Sequence, residues 1–314
     1  MAGHELRRRE FLKKSGAVQI AAMAGIGALQ QEAALTAPAS PGRGPVKLSC
    51  NLYSFNRPLQ EGRMSLEEVI EFCSDLGFHA VDPTGYYFPN YPEVPSDRYI
   101  YEIKRKAFRL GLDISGTGVR NDFTLTDRER RKAEVKLVKN WVEVAARLGA
   151  PVLRVFSGRE LPEGYSRAEV TNWVVEALGE CADYGAGSGV IIVLQNHWDF
   201  IRTAEQTVEI LEGVNSPWLA LNLDIGSYRS ADPYSEIARV APYAATWQIK
   251  ENVFISGREV KTDLDRIMQI VGQSGYRGYL PIETLGAGDP RVKIPRFLAE
   301  VRSALEGQGL TAER

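Results

Sequence analysis

Short apolar segments recur eight times between residues 47 and 286, and each one ends in polar residues. Between consecutive segments lie amphipathic stretches, in which apolar residues repeat at helical spacing. A short apolar run followed by such a stretch is typical of a β-strand and the helix after it. The predicted strands begin at Lys47, His79, Leu112, Pro151, Val190, Leu219, Ala245 and Gly278.

Residues that start and stop helices support this alternation. Ser65 precedes an amphipathic stretch, with Glu68 three residues later, which is the pattern of a capping box. Gly77 is predicted to end that helix. Further helices are predicted to begin after the capping residues Asp127, Thr203 and Asp263.

The alternation predicts an α/β protein that consists of a single (β/α)8 barrel. Parallel strands covered by helices are apolar along their whole length, and eight strand–helix units in about 240 residues suit a closed barrel. An open doubly wound sheet is the alternative, although no glycine-rich G-x-G-x-x-G turn follows the first strand. The predicted barrel domain spans residues 40–314.

The first 39 residues have a different pattern. Arg8 and Arg9 precede an apolar stretch at residues 16–29, and the small-residue sequence TAPAS follows. This order indicates a twin-arginine export signal, and the apolar stretch is shorter than the ~20 residues that span a membrane. We expect residues 1–39 to be signal and linker, with cleavage near Ala39, a periplasmic or otherwise extracytoplasmic mature protein, and no stable membrane insertion. An uncleaved anchor and a basic N-terminal helix of the domain are the alternatives.

Charge and cysteine content exclude several classes of protein. The chain has 38 basic and 40 acidic side chains, a formal net charge of −2, and no basic stripe outside the N-terminus. A nucleic acid is therefore not an expected partner. Three cysteines form neither a C-x-x-C pair nor an even-numbered framework, which argues against a disulfide scaffold and a zinc finger.

Polar side chains are predicted to meet at one end of the barrel. In (β/α)8 enzymes the reacting groups lie at the carboxyl ends of the strands, so the predicted strand ends mark the expected site. The residues there include Asn51, Asp82, Arg120, Asn121, Arg154, Gln195, Asn196, His197, Asp224, Gln248, Lys250, Glu251 and Glu283.

The last four strand ends read LQNHWDF, LNLDIGSY, TWQIKEN and PIETLG. With these motifs, residues 46–305 resemble the xylose-isomerase-like superfamily of barrels, which includes sugar phosphate isomerases and epimerases, tagatose epimerase relatives and the inosose dehydratase type. In that family a Glu, an Asp, a His and a Glu on strands five to eight bind one divalent metal. This chain keeps Asp224 and Glu283, but it has Gln195 in place of the first Glu and Gln248 in place of the His.

The resemblance implies a metal site made of Gln195, Asp224, Gln248 and Glu283. An amide carbonyl can still be a ligand, and two carboxylates balance a divalent ion. Such an oxygen-only set favours Mn²⁺ or Mg²⁺ over zinc. The alternative is a barrel that has lost its metal and keeps these residues as a hydrogen-bonded polar mouth.

The replacement of a glutamate by Gln195 also limits the reactions that the site can catalyse. Tagatose-type epimerases use two metal-bound carboxylates on opposite faces of the sugar, whereas Gln195 cannot be a base. Chemistry with one base stays open, with Glu283 removing a proton beside a carbonyl and His197 as the acid. Lys250 or the metal would stabilise the enolate oxygen. A structural role for His197, and an ion pair of Lys250 with Glu283 or Glu251, are the alternatives.

The resemblance implies an enzyme that acts on a small-molecule carbohydrate. An isomerase or epimerase is the first hypothesis, and export favours a non-phosphorylated sugar or keto-sugar. A lyase or hydratase that acts by β-elimination on a keto-sugar or glycoside is an alternative, as is a metal-free barrel that binds sugars without turnover. The expected substrate contacts are Asn51, Asp82, Arg154, Asn196 and Glu251.

Two further points concern partners. The endonuclease IV type of abasic-site nuclease shares this barrel but needs a histidine-rich trinuclear zinc site, and beyond the signal this chain has only His79 and His197. That nuclease class is therefore not expected. A homo-oligomer is compatible with the sequence.

Overall fold

The structure, a computed structural model, describes residues 46–310. The expected export signal at residues 1–39 lies outside the described residues. Within residues 46–310, no helix combines the length and the apolar character that crossing a membrane requires.

Nine parallel strands form one nearly closed sheet, and helices surround it. The strands are β1 Lys47–Asn51, β2 Ala80–Asp82, β3 Asp113–Ile114, β4 Thr117–Gly118, β5 Val152–Phe156, β6 Ile191–Gln195, β7 Leu219–Asp224, β8 Ala244–Lys250 and β11 Tyr279–Glu283, with β9 and β10 in a separate hairpin described below. Along the sheet they follow the order β3, β2, β1, β11, β8, β7, β6, β5, β4.

The barrel closes at its third strand, which is interrupted. Strands β3 and β4 are its two halves and stand at opposite ends of the sheet order. Between them, the Ser115 N–H donates to Val81 O at 2.9 Å, whereas Thr117 is already in register with Leu153 of β5. The chain therefore passes from one neighbour to the other within a few residues. The predicted single (β/α)8 barrel is confirmed, with its third strand in two pieces.

Helices begin and end where the capping residues predict. Ser65 and Glu68 form the expected capping box, and Gly77 follows the end of that helix with a φ of 71°. Asp127, Thr203 and Asp263 cap their helices through side-chain oxygens. The helices are α1 Asn56–Gln60, α2 Leu66–Asp75, α3 Asp97–Arg109, α4 Arg128–Leu148, α5 Arg167–Ser188, α6 Ala204–Val214, α7 Pro233–Val240, α8 Leu264–Ser274 and α9 Pro290–Gly307.

The core lies between the strands and the inner faces of these helices. Helix α4 shows the principle, because it buries Val138, Trp141, Ala145 and Leu148, which recur at helical spacing and are fully inaccessible to solvent. The helix thereby covers the outer face of the sheet and holds the strands in place beneath it.

A short hairpin follows β8 and lies outside the barrel sheet. Its strands, β9 Asn252–Ile255 and β10 Arg258–Lys261, pair antiparallel. The two turn residues, Ser256 and Gly257, both have positive φ angles, 48° and 76°, as a tight two-residue hairpin requires. This hairpin was not among the predicted strands.

Candidate active site

A cavity of about 770 Å³ opens where the barrel strands end. This volume lies within the range of small-molecule sites in proteins. The residues of the predicted strand ends that line it are Arg120, Asn121, Arg154, Gln195, His197, Gln248, Lys250 and Glu283. The structure thus brings strand ends that are far apart in the chain to one cavity.

Three charged side chains form the centre of this site. The Lys250 Nζ atom lies 2.8 Å from Asp224 Oδ2 and 3.1 Å from Glu283 Oε2. Asp224 is fully inaccessible to solvent, Glu283 is 3% exposed, and the Lys250 side chain is 13% exposed. Neighbouring strands hold the three groups together, since Asp224 is in register with Gln248 and Glu283 with Lys250.

Lys250 and Asp224 keep each other charged. Burial alone would lower the pKa of Lys250, but the charges of Asp224 and Glu283 raise it above its usual value. Burial would raise the pKa of Asp224, yet the Lys250 ammonium holds it below its usual value. The charged forms of Lys250 and Asp224 therefore stabilise each other.

Asp224 is held from several sides. Its Oδ2 atom also accepts a hydrogen bond from Gln195 Nε2 at 2.8 Å, and its Oδ1 atom accepts one from the Gly226 N–H at 3.0 Å. Asn196 holds the backbone of Asp224, because its amide group donates to the carbonyl oxygen at 3.0 Å and accepts from the N–H at 2.7 Å. Asn196 therefore positions Asp224 and does not line the cavity.

Gln248 stands on β8, two residues before Lys250, and lines the cavity. Its Oε1 atom is buried and has no hydrogen-bond partner among the described residues. A buried amide oxygen without a partner costs free energy unless a ligand or water satisfies it. Gln248 is thus a candidate contact for a hydroxyl group of the substrate.

His197 lies at the same cavity and pairs with an acidic neighbour. Its Nδ1 atom is 2.7 Å from Asp199 Oδ2, and its ring packs edge-on against Phe156. The side chain is 42% exposed. The carboxylate orients the ring, and Nε2 remains available to a ligand.

Arg154 and Asp82 form a second charged group at the mouth. The Arg154 guanidinium donates to Tyr86 Oη at 2.9 Å and to Val119 O at 3.1 Å. Burial raises the pKa of the Asp82 carboxyl to about 6, while the charge of Arg154 opposes the rise and that of Glu283 adds to it. Arg154 lines the cavity, whereas Asp82 is not among its lining residues.

Two expected substrate contacts, Asn51 and Glu251, are not among the residues that line the cavity. The Asn51 side chain accepts from the Tyr53 N–H at 2.9 Å and caps the turn after β1. Glu251 pairs with Lys293 Nζ at 2.8 Å. In this structure both side chains bind other parts of the protein.

The predictions missed several charged residues of the cavity wall. Arg57, Arg63, Arg159, Asp199 and Asp289 all line it. They belong to loops and short helices beyond the strand ends, where neither strand alternation nor helical spacing marks a residue as inward-facing. Their presence in the lining follows from how the loops fold over the mouth.

The expected divalent metal does not fit the arrangement of these residues. Both oxygens of Asp224 already accept hydrogen bonds from protein donors, and the Lys250 ammonium lies against both carboxylates. A metal ion would have to displace that ammonium. Within residues 46–310, no group of three or more His, Cys, Asp and Glu side chains is placed to hold a metal.

Comparison with known proteins agrees with this architecture. The family model described as "Xylose isomerase-like TIM barrel" matches residues 70–303. No curated protein matches the sequence significantly.

Solved structures share the fold at low sequence identity. A D-psicose 3-epimerase from Clostridium cellulolyticum H10, solved with D-tagatose, has a TM-score of 0.67 and 16% identity, covering 86% of this chain and 100% of that one. A probable 3-DHS dehydratase from Bacillus anthracis has a TM-score of 0.62 and 17% identity, covering 83% and 99%. A xylose isomerase-like barrel from Mycobacterium smegmatis, solved with magnesium, has a TM-score of 0.61 and 19% identity, covering 83% and 98%.

Proposed function

Because the chain belongs to the xylose isomerase-like TIM barrel family, we propose that it is a carbohydrate-modifying enzyme that removes a proton beside a carbonyl group. The observation that carries this proposal is the buried group of Asp224, Lys250 and Glu283 at a cavity of about 770 Å³. Buried charges are costly to maintain, and a group of them at a cavity that fits a sugar is typical of an active site.

Glu283 is the base in this proposal. It stands at the end of β11 and, unlike Asp224, is among the residues that line the cavity. A sugar carbonyl placed beside Lys250 would point its oxygen at the ammonium. As Glu283 takes the proton from the neighbouring carbon, negative charge moves to that oxygen, and the ammonium stabilises it.

His197 is the acid. Imidazole donates protons well near neutral pH, and the pairing with Asp199 Oδ2 at 2.7 Å fixes the ring so that its other nitrogen is free to act. The ring would return a proton to carbon in an isomerisation or epimerisation, or protonate the departing oxygen as its bond to carbon breaks in an elimination. Proton removal and proton return are then divided between two different side chains.

The arrangement around Gln195 favours reactions that need one carboxylate base. Its amide group donates to Asp224 Oδ2 at 2.8 Å, and an amide cannot accept a substrate proton. An isomerase or epimerase-like reaction on a non-phosphorylated sugar or keto-sugar then needs His197 as its second group. Elimination or hydration at a keto-sugar or glycoside, with His197 protonating the departing oxygen, uses the same residues and is the second candidate.

Deuterium exchange tests the base. Wild-type protein is incubated in D₂O with a panel of keto-sugars, and deuterium beside the carbonyl is measured by mass spectrometry. Replacing Glu283 by Gln is expected to slow exchange by roughly 10³-fold, the usual contribution of a positioned base. The Glu180→Gln variant changes an exposed side chain on α5 that pairs with Lys139, and it should exchange like the wild type.

The outcomes separate the candidate functions. Exchange with a rearranged product indicates isomerisation or epimerisation, and exchange with loss of a hydroxyl or glycoside group indicates elimination. Near wild-type exchange in the Glu283→Gln variant would remove Glu283 from the mechanism. A wild-type protein that binds sugars without any exchange or product would instead be a binding barrel.

A further inference from the structure

The Lys250 ammonium occupies the space between the two carboxylates of the site. Its Nζ atom lies 2.8 Å from Asp224 Oδ2 and 3.1 Å from Glu283 Oε2. A divalent ion bound to the same two oxygens would sit about 2.0–2.6 Å from each of them. It would therefore overlap the ammonium group, so the two cations exclude each other.

The other groups around Asp224 also donate hydrogen bonds to its carboxylate, so they face it with donors and not with ligand atoms for a metal. Asp224 Oδ2 accepts from both Gln195 Nε2 and Lys250 Nζ, and Oδ1 accepts from the Gly226 N–H. Gln195 thus presents its donor group, not its carbonyl oxygen, to the centre. A metal ion would have to remove these donors and turn the Gln195 amide over before it could bind.

The backbone is shaped to accommodate the lysine. A Cβ atom on Gly226 would lie 2.8 Å from Lys250 Cδ and 3.3 Å from Asn252 O. Glycine therefore lets the turn after β7 approach the lysine stem closely. From the other direction, the Thr262 hydroxyl donates to Lys250 O at 2.8 Å and holds the end of β8. The surrounding backbone therefore holds Lys250 in its position between the two carboxylates.

We propose that Lys250 is the resident cation of this site, in the place of a divalent metal, and that the protein needs no metal. An ammonium has three N–H groups, and two face the carboxylates, which leaves one for a ligand oxygen in the cavity. Occupation of the site by Lys250 is independent of the reaction. The role of its third N–H at a substrate carbonyl rests on the proposed function.

Binding of Mn²⁺ tests this assignment directly. Protein treated with EDTA and then desalted is titrated with Mn²⁺, and the free ion is followed by electron paramagnetic resonance. The wild type is expected to leave the free-ion signal undiminished at equimolar Mn²⁺. The variant with Gln195→Glu, Gln248→His and Lys250→Met removes the lysine and adds two ligands. It is expected to bind one Mn²⁺ roughly 100-fold more tightly than the wild type, a change of the size seen when the ligand environment of a metal is altered.

The wild-type titration is decisive even if the triple variant does not fold. Uptake of one Mn²⁺ by the wild type, with loss of that uptake in the Asp224→Asn variant, would overturn the assignment. Circular dichroism and thermal melting confirm that each variant is folded. EDTA treatment should leave the melting temperature of the wild type unchanged, and a lowering that Mn²⁺ reverses would also contradict the assignment.

Deuterium exchange is the separate readout for the reaction. Exchange by wild-type protein that takes up no Mn²⁺ supports both proposals. No Mn²⁺ uptake and no exchange supports Lys250 as the resident cation and overturns the proposed function. Uptake of Mn²⁺ at Asp224 overturns the cation assignment whether or not exchange occurs.

Discussion

Asp82 shows how the barrel changes the chemistry of a single residue. Its carboxyl ends β2 in a partly buried position, and burial raises its pKa to about 6. The unfolded carboxyl has a pKa near 3.9. The folded state therefore disfavours the carboxylate form, and Asp82 destabilises the fold once it is ionised.

Because ionised Asp82 destabilises the fold, replacing Asp82 by Asn should increase the free energy of unfolding, and the increase should depend on pH. Below about pH 4 the carboxyl is protonated in both states, so the penalty is absent. The penalty grows through the window between the two pKa values and is complete above about pH 6. Relative to the wild type, the free energy of unfolding of the variant should rise by on the order of 2 kcal/mol between pH 4 and pH 8.

Urea denaturation at several pH values measures this difference. Asp183→Asn, an exposed position on α5, is the matched control and should follow the wild type across the range. A difference between Asp82→Asn and the wild type that stays constant with pH would show that the Asp82 carboxyl is not destabilised by burial.

The sequence predicted which residues stand at strand ends, but not where each side chain points. Along β6 and the residues after it, Gln195 and His197 line the cavity, whereas Asn196 between them hydrogen-bonds to the backbone of Asp224. Alternate residues of an extended chain face opposite sides. Glu251 follows Lys250 and, for the same reason, turns away to Lys293.

At the scale of elements, the turn between β7 and α7 packs against the side chain of Lys250 and fixes its position. Replacing Gly226 by Ala puts a methyl group 2.8 Å from Lys250 Cδ, so the turn or the lysine must move. Such overpacking typically costs about 1–3 kcal/mol. We expect the Gly226→Ala variant to be destabilised by this amount and to exchange deuterium more slowly, because the ammonium is displaced.

The same substitution at Gly187 is the matched control. Gly187 lies within α5, and a Cβ there meets nothing within 4 Å. Alanine favours a helix over glycine by up to about 1 kcal/mol, so Gly187→Ala should be slightly stabilising with an unchanged exchange rate. If the Gly226→Ala variant has the same free energy of unfolding and the same exchange rate as the wild type, this turn does not hold Lys250.

Elements with strong local signals were predicted well. The capping box at Ser65 and the cap at Asp127 rely on hydrogen bonds within one helical turn, so the local sequence specifies them. The third strand was predicted as continuous, and its break at residues 115–116 depends on partners in β2 and β5. The hairpin of β9 and β10, with positive φ angles at Ser256 and Gly257, was not predicted.

For the molecule as a whole, we propose that residues 1–39 direct export of the folded barrel. The support is the order of Arg8, Arg9, an apolar stretch and small residues. Replacing both arginines by lysine should keep the protein in the cytoplasm at full length. Cell fractionation and mass spectrometry measure location and cleavage. Export of that variant at the wild-type level would contradict the twin-arginine route.

The alternation of apolar and amphipathic stretches determined by itself that this chain forms a (β/α)8 barrel, because strand and helix periodicity and helix caps are local properties. It also determined which polar residues stand at the strand ends. Only the tertiary structure decided that Lys250 lies between Asp224 and Glu283, since these groups come from three strands. Barrel closure and strand register, together with the space left by Gly226, place the ammonium there.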